Sequence, residues 1–205
     1  MKKRSLIISI VSICIIALVT YLFLNKNKND APINEITLLS DYDIIIGEFN
    51  ASNTLILYFD YNCKYCKKFF ENVYPEIKKQ FIDGGILKIV LRPVCKSNDI
   101  TATNAYQTLL CINKFGNFDK LHQLLLHEPR IIYTEQYQQL TDEFINTNAN
   151  VAECILNTNN EAILKNIYEF QELKTKGTPT FVLNNKVIVG YKDFQFFEDR
   201  IKKNH

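Results

Sequence analysis

Hydrophobic and polar positions along this chain switch between two periods, and the switches mark its elements. The unbroken apolar run from Leu55 to Phe59 predicts a strand covered on both faces, and Ile44 to Ile46 predicts a shorter strand before it. From Cys66 the apolar residues Phe70, Val73, Ile77 and Phe81 recur every three or four positions, a helical face that Pro75 should kink or restart. Gly84 and Gly85 end it, and Ile86 to Leu91 returns to strand. Residues 98 to 173 read as almost wholly helical. Within them Thr101 is placed to cap a helix over 102–114, Thr134 one that contains Tyr137, Leu140 and Phe144, and Asn150 one that contains Val151 and Ile155. Further helices are expected over 118–127 and 161–173. After Gly177 the runs Phe181 to Leu183 and Lys186 to Gly190 flank Asn184 and Asn185, the pattern of a hairpin. A last helix over 193–203 turns Phe194, Phe197 and Ile201 inward. The order is strand, strand, helix, strand, a helical block, hairpin, helix.

The N-terminus follows a different pattern. Lys2, Lys3 and Arg4 precede an uncharged run from Ser5 to Leu24, which gives way to a polar stretch. Basic residues ahead of a long apolar run are the layout of an export signal whose basic end stays in the cytoplasm. The run is roughly a bilayer span. It lacks an A-x-A-like cleavage site, and Ile13 before Cys14 does not fit a lipoprotein signal. Residues 1–24 therefore read as a signal anchor or a cleaved signal peptide, 25–40 as a linker and 41–205 as the folded domain. Residues 33–39 fit a short helix or a short strand equally well. The domain is expected in the periplasm or cell envelope, facing an oxidising exterior.

Charge adds one exclusion. The formal charge of +2 comes from five Lys/Arg against one Asp in the first thirty positions, and the remainder is close to neutral. Nothing here favours nucleic acid as a partner.

Six cysteines stand at positions 14, 63, 66, 95, 111 and 154. Outside the apolar N-terminal run five remain, enough for two disulfides and one free thiol. Asn62 is a good N-cap, which makes Cys63 the first helical residue and puts Cys63 and Cys66 on one face at a helix start. There the dipole and free N–H groups favour a thiolate. A lone C-x-x-C is also half of a zinc site. Cys95, Cys111 and Cys154 stand singly, however, and His122 and His127 lie on an ordinary helix of the block, so no metal and no cofactor is expected.

The element order, with Cys63-Lys64-Tyr65-Cys66 and the distant Gly177-Thr178-Pro179-Thr180-Phe181, resembles DsbA-like thiol:disulfide oxidoreductases of the thioredoxin superfamily. The resemblance spans roughly residues 41–203. It implies an α/β, thioredoxin-like fold with an all-helical insertion (about 98–173) between the third strand and the C-terminal β-hairpin. It also implies that Cys63 and Cys66 are the catalytic pair, and that Pro179 is cis and packs against them while Thr178 pairs with substrate backbone. The reaction it implies is donation of the Cys63–Cys66 disulfide to reduced exported proteins. A membrane DsbB-like partner would reoxidise the enzyme, with membrane contact through residues 5–24 if they are retained.

Lys64 and Tyr65, between the cysteines, should tune the pair: one adds positive charge, the other a hydroxyl and an aromatic face. They differ from the proline-containing dipeptides common in the family, so oxidising strength does not carry over. A second departure is Leu57, six positions before Cys63, where relatives usually hold a buried acid. Asp60 is the nearest carboxylate, and if the strand persists its odd spacing turns it to the opposite face. The surroundings of Cys111 and Cys154 resemble paired cysteines in such insertions, and a bond there would stabilise by roughly 4 kcal/mol on the loop-entropy account. Two reduced cysteines, or a pairing with Cys95, are the alternatives, and Cys95 is otherwise the odd thiol. Other readings of the whole chain are a disulfide isomerase or reductase, a Cu(I) metallochaperone, whose kind tends to use C-x-x-x-C with a distant His, and a redox-inactive binding module.

Overall fold

A mixed five-stranded sheet in the order β1-β3-β2-β4-β5 carries the rest of the molecule. The strands are β1 (Ile44–Ile46), β2 (Asn53–Phe59), β3 (Leu87–Pro93), β4 (Thr180–Leu183) and β5 (Lys186–Val189). The structure is a computed structural model that describes residues 38–203 apart from 117 and 158. The export-signal segment and most of the linker lie outside the described residues. Among the described residues no helix is long and apolar enough to cross a membrane.

The central strand is the one the apolar run predicts: every residue of β2 from Leu55 to Phe59 is buried. It runs parallel to β3 and antiparallel to β4, with Leu57 opposite both Leu91 and Phe181. A parallel pair needs a crossover. Helix α1 (Lys64–Asn72), helix α2 (Tyr74–Ile77) and a π-helical turn (Lys78–Ile82) supply it. Pro75 restarts the helix as expected, because in the first turn its missing N–H has no partner to lose. The hairpin is also where the pattern places it. Asn184 and Asn185 both take positive φ, +46° and +66°, as the primed turn between β4 and β5 requires. The Asn184 side chain ties this turn to β2, its Oδ1 accepting from the Thr54 N–H at 2.9 Å.

The two faces of the sheet are covered by different chemistry. One packs Phe181 against Phe69 of α1 and Phe197 of the last helix, α8 (Phe194–Lys203), with ring centroids 4.9 Å apart in both cases. On the other, Tyr58 of β2 lies opposite Arg92 of β3. The Arg92 guanidinium is fully buried and grips Asp43 with two bonds of 2.8 Å. It also donates to Glu169 at 2.7 Å and to the Tyr58 hydroxyl at 2.9 Å. Buried charges persist only when paired in this way. Because Glu169 belongs to the insertion, the network fastens the insertion to the sheet.

The insertion comprises α3 (Ile100–Phe115), α4 (Asp119–His127), a 3-10 turn (Pro129–Tyr133), α5 (Glu135–Thr147), α6 (Ala149–Asn157) and α7 (Glu161–Glu172). Helix α3 packs on α6 and α7. A disulfide joins Cys111 of α3 to Cys154 of α6, across a separation of 43 residues. Two expected caps are corrected. Asp99, not Thr101, caps α3, since its carboxylate accepts from the Ala102 N–H at 3.0 Å. Asn148, not Asn150, caps α6 through bonds to the Asn150 and Val151 N–H groups. In each case the neighbouring polar residue lies too far into the first turn to reach a free N–H. Thr134 stands at the start of α5, but its hydroxyl donates backward to the Ile131 carbonyl at 2.7 Å.

Candidate active site

Strand β2 stops at Phe59, and the next four residues turn sharply into α1. Asp60 makes that turn. Its carbonyl accepts from the Cys63 N–H and its carboxylate Oδ1 from the Asn62 N–H, both at 2.9 Å. The chain consequently enters the helix one residue later than expected, with Cys63 rather than Asn62 at the N-cap and Lys64 as the first helical residue. Cys63 has extended backbone there, so its sulfur stands off the open end of the helix.

The two cysteines differ in nearly every respect. Cys63 is half-buried and Cys66, one turn in, is fully buried; both are free thiols. The Cys63 pKa is pushed down to about 5 by the hydrogen bond from the Cys66 thiol, and further by Thr178 and the N–H groups of Cys66 and Tyr65, against a partial burial that opposes it. Cys66 is driven far up, first by burial and then by sharing its proton with the Cys63 sulfur. The pair therefore carries one charge and one proton at neutral pH, with the charge on the outer sulfur.

Far along the sequence, the Thr178–Pro179 peptide is cis and lies against this pair. The Cys63 sulfur is 3.2 Å from the Thr178 carbonyl oxygen and donates to it as the thiol. The loop is braced from behind, where the Thr180 hydroxyl donates to the Gly177 carbonyl at 2.7 Å and the Gly190 N–H to the Pro179 carbonyl at 2.9 Å. The sheet thus brings Cys63, Cys66, Thr178 and Pro179 together.

Lys64 and Tyr65 are both exposed beside Cys63, and the Lys64 ammonium lies 5.0 Å over the Tyr65 ring. Hydrogen bonds, not that ammonium, head the causes of the low Cys63 pKa. Lys67 pairs with Glu71 at 3.9 Å, and Lys68 sits over the Tyr191 ring at 4.5 Å. Cys95 keeps a free thiol 3.5 Å from the Thr103 hydroxyl, with its pKa raised by burial.

Four residues extend the site toward the insertion: Asp60, Tyr61, Tyr106 and His122. Asp60 does not follow strand alternation, because the strand has ended, and its carboxylate accepts from the Tyr106 hydroxyl of α3 at 3.0 Å. Behind it the buried Tyr61 hydroxyl meets His122 Nδ1 of α4 at 2.7 Å. Burial lowers the His122 pKa to about 4, so this imidazole is neutral. Tyr61 stacks edge-on with Phe59 and Tyr106, at centroid distances of 4.9 and 5.3 Å. In sequence, Tyr106 and His122 look like ordinary positions on two insertion helices. His127, by contrast, is exposed.

Comparison with known proteins places this arrangement. The thioredoxin family model matches residues 39–203. An inferred protein-disulfide oxidoreductase of Rickettsia conorii is 24% identical over 169 residues, covering 78% of this chain and 60% of its own. Disulfide bond formation protein D of Bacillus subtilis is 24% identical over 168 residues, covering 78% of this chain and 75% of its own. The chain spans less than two thirds of the length of the Rickettsia relatives it matches. Among solved structures, alpha-DsbA1 of Wolbachia pipientis superposes with a TM-score of 0.60 at 21% identity, over 83% of this chain and 94% of that one. The insertion-bearing thioredoxin fold is shared with such DsbA-like proteins.

Proposed function

The chain belongs to the thioredoxin family, and from that premise we propose that it is an extracytoplasmic thiol:disulfide oxidoreductase that acts as an oxidase on exported proteins. One observation carries the reading: the inner and outer thiols of a C-x-x-C are polarised in opposite directions beneath a cis-proline loop.

The chemistry follows from that polarity. In the oxidised enzyme a substrate thiolate attacks the Cys63 sulfur, the accessible one. A substrate–Cys63 disulfide forms, the Cys63–Cys66 bond breaks, and Cys66 takes the electron pair and a proton. A second substrate thiolate then attacks the substrate sulfur of that mixed disulfide, and Cys63 departs as a thiolate. Two electrons pass from the substrate dithiol to the enzyme. A low Cys63 pKa makes this sulfur a good leaving group and stabilises the reduced enzyme, which favours oxidation of the substrate. Thr178 and Pro179 hold the approach: proline contributes no backbone donor, and the adjoining Thr178 backbone is the partner for an extended substrate segment. Lys64 and Tyr65 flank the entry. Cys111–Cys154 has a structural role.

The exterior location rests on the basic and apolar character of residues 2–24. Substrates are then reduced exported proteins, and a DsbB-like membrane protein is the reoxidising partner. Equilibration of Cys63–Cys66 with glutathione, alongside refolding of a reduced substrate, tests the proposal. The expected result is a potential well above that of thioredoxin, about −270 mV, together with disulfide formation in the substrate. A thioredoxin-like potential with insulin reduction and no oxidation would make it a reductase.

A further inference from the structure

Strand β5 ends the sheet: β4 pairs with one side of it, and among the described residues no strand pairs with the other. An open strand edge offers backbone donors and acceptors to any extended chain that fits beside it. We propose that this edge and helix α8 form a docking groove for an extended segment of a partner protein in which acidic and apolar residues alternate. The inference goes beyond the redox reading and does not depend on it.

The ladder fixes which groups are on offer. Asn184 and Asn185 form a two-residue turn, so Leu183 and Lys186 close the hairpin as a hydrogen-bonded pair, and bonded pairs recur at every second residue. The bond from the Gly190 N–H to the Pro179 carbonyl keeps that phase. Lys186, Ile188 and Gly190 therefore bond inward, and the N–H and C=O groups of Val187 and Val189 turn to the open edge. Side chains alternate in the same register. Ile188 lies opposite Phe181, which packs on Phe197 of α8. Lys186 and Ile188 thus face that helix, while Val187 and Val189 face the other way and stay exposed.

A groove of about 650 Å³ follows this edge. Its helical wall includes Phe196, Asp199, Arg200 and Lys203, and Lys186 and Lys192 also line it. Four cations thus meet one carboxylate, and that of Asp199 already accepts from Gln195 at 2.7 Å. Arg200 lies along the wall with its guanidinium 3.4 Å over the Phe196 ring. Among the described residues Lys186, Lys192 and Lys203 enter no ion pair. A lone edge lysine commonly keeps strands of like chains apart. Four cations do more. They repel a second copy of the same edge, and they repel the N-terminal segment, which has five Lys/Arg against one Asp in its first thirty positions. What they favour is a strand that carries carboxylates. The side chains of a strand added to β5 would alternate between the α8 face, where Lys186 and the helical cations stand, and the face of Val187 and Val189. Acidic and apolar residues in alternation match both faces. None of Cys63, Cys66, Thr178 and Pro179 lines the groove, so docking leaves the sulfur pair accessible.

The probe is a capped hexapeptide of alternating Glu and Val, titrated into the full chain and followed by fluorescence anisotropy and by amide hydrogen exchange. It should bind and protect the Val187 and Val189 amides. Replacing its Glu residues by Lys should remove binding. Reversing the exposed lysines, Lys186→Glu with Lys203→Glu, should weaken it about tenfold, the scale of two surface charge pairs turned repulsive. N-methylation of alternate peptide residues should abolish binding in one frame and spare it in the other, as strand addition requires. An absence of binding, or binding indifferent to the charge reversals or to the methylation frame, would overturn the proposal. Protection of the two amides without peptide would overturn it as well. The edge would then belong to a second copy if protection grows with protein concentration, and to another segment of this chain if it does not.

Discussion

Two pairs of cysteines in this chain carry the same functional group and have opposite fates. Cys111 and Cys154 are both buried between helices α3 and α6 and are bonded to each other. Cys63 and Cys66 stand at an open helix end, one half-buried and one buried, and both are free. What separates the pairs is access and polarisation. The insertion pair is buried, with the Gln107 amide 3.5 Å from the Cys111 sulfur, and so is shielded from an attacking thiolate. The outer sulfur of the helix-start pair accepts a hydrogen bond from the Cys66 thiol and meets the backbone N–H groups of Cys66 and Tyr65, so it holds charge.

This contrast can be broken by mutation. The largest effect is expected from Cys63→Ser, which should abolish exchange, while Cys66→Ser should trap mixed disulfides with substrates, visible on non-reducing gels. A fully active Cys63→Ser enzyme would mean that the site is elsewhere. The double substitution Cys111→Ala with Cys154→Ala should keep exchange but lose roughly 4 kcal/mol of stability on the loop-entropy account. Calorimetry should then show a melting temperature lower by about 10 °C.

Arg92→Met probes the other anchor of the insertion. It takes the guanidinium from the buried Asp43 and Glu169 carboxylates, leaving Glu169 with Lys165 and Tyr58 and Asp43 with the Ser40 N–H. Losing one partner of a buried pair costs about 3–5 kcal/mol, measurable by denaturant unfolding.

A smaller, pH-dependent effect comes from His122. Its folded pKa, about 4, lies below the unfolded value of 6.5. The unfolded chain therefore binds the extra proton first. The contribution is intact above about pH 6.5 and is lost progressively as pH falls toward 4, reaching about 3 kcal/mol. His122→Phe should flatten that part of the stability curve. The smallest effect is on rate alone. Alkylation of Cys63 should stay nearly constant from neutral pH downward and fall by half near pH 5, whereas the insertion pair should not react in the folded protein.

Much of the scaffold is legible in the residues, and the exceptions share a cause. The buried strand at Leu55 to Phe59, the restart at Pro75 and the Asn184-Asn185 hairpin are local features, each set by side-chain period or by φ preference. The helix caps are harder, because several polar residues adjoin each helix start. Which one caps depends on where the preceding chain enters, as Asp99 and Asn148 show against Thr101 and Asn150. Asp60 is misread for a related reason: alternation places a side chain only while the strand lasts. The grip of Arg92 on Asp43 and Glu169 joins parts of the sequence too far apart for any pattern to suggest.

The residues alone determine the reagents: two thiols one helical turn apart, a distant Thr-Pro before a strand, and apolar runs able to bury a sheet. Such features are carried by side-chain chemistry and short-range spacing. Only the tertiary structure decides which sulfur is charged. That depends on how deeply Cys66 is buried, on its hydrogen bond to the Cys63 sulfur, and on the approach of Thr178 across the sheet. Desolvation and hydrogen bonding act through space, so they exist only once the chain has brought those groups together.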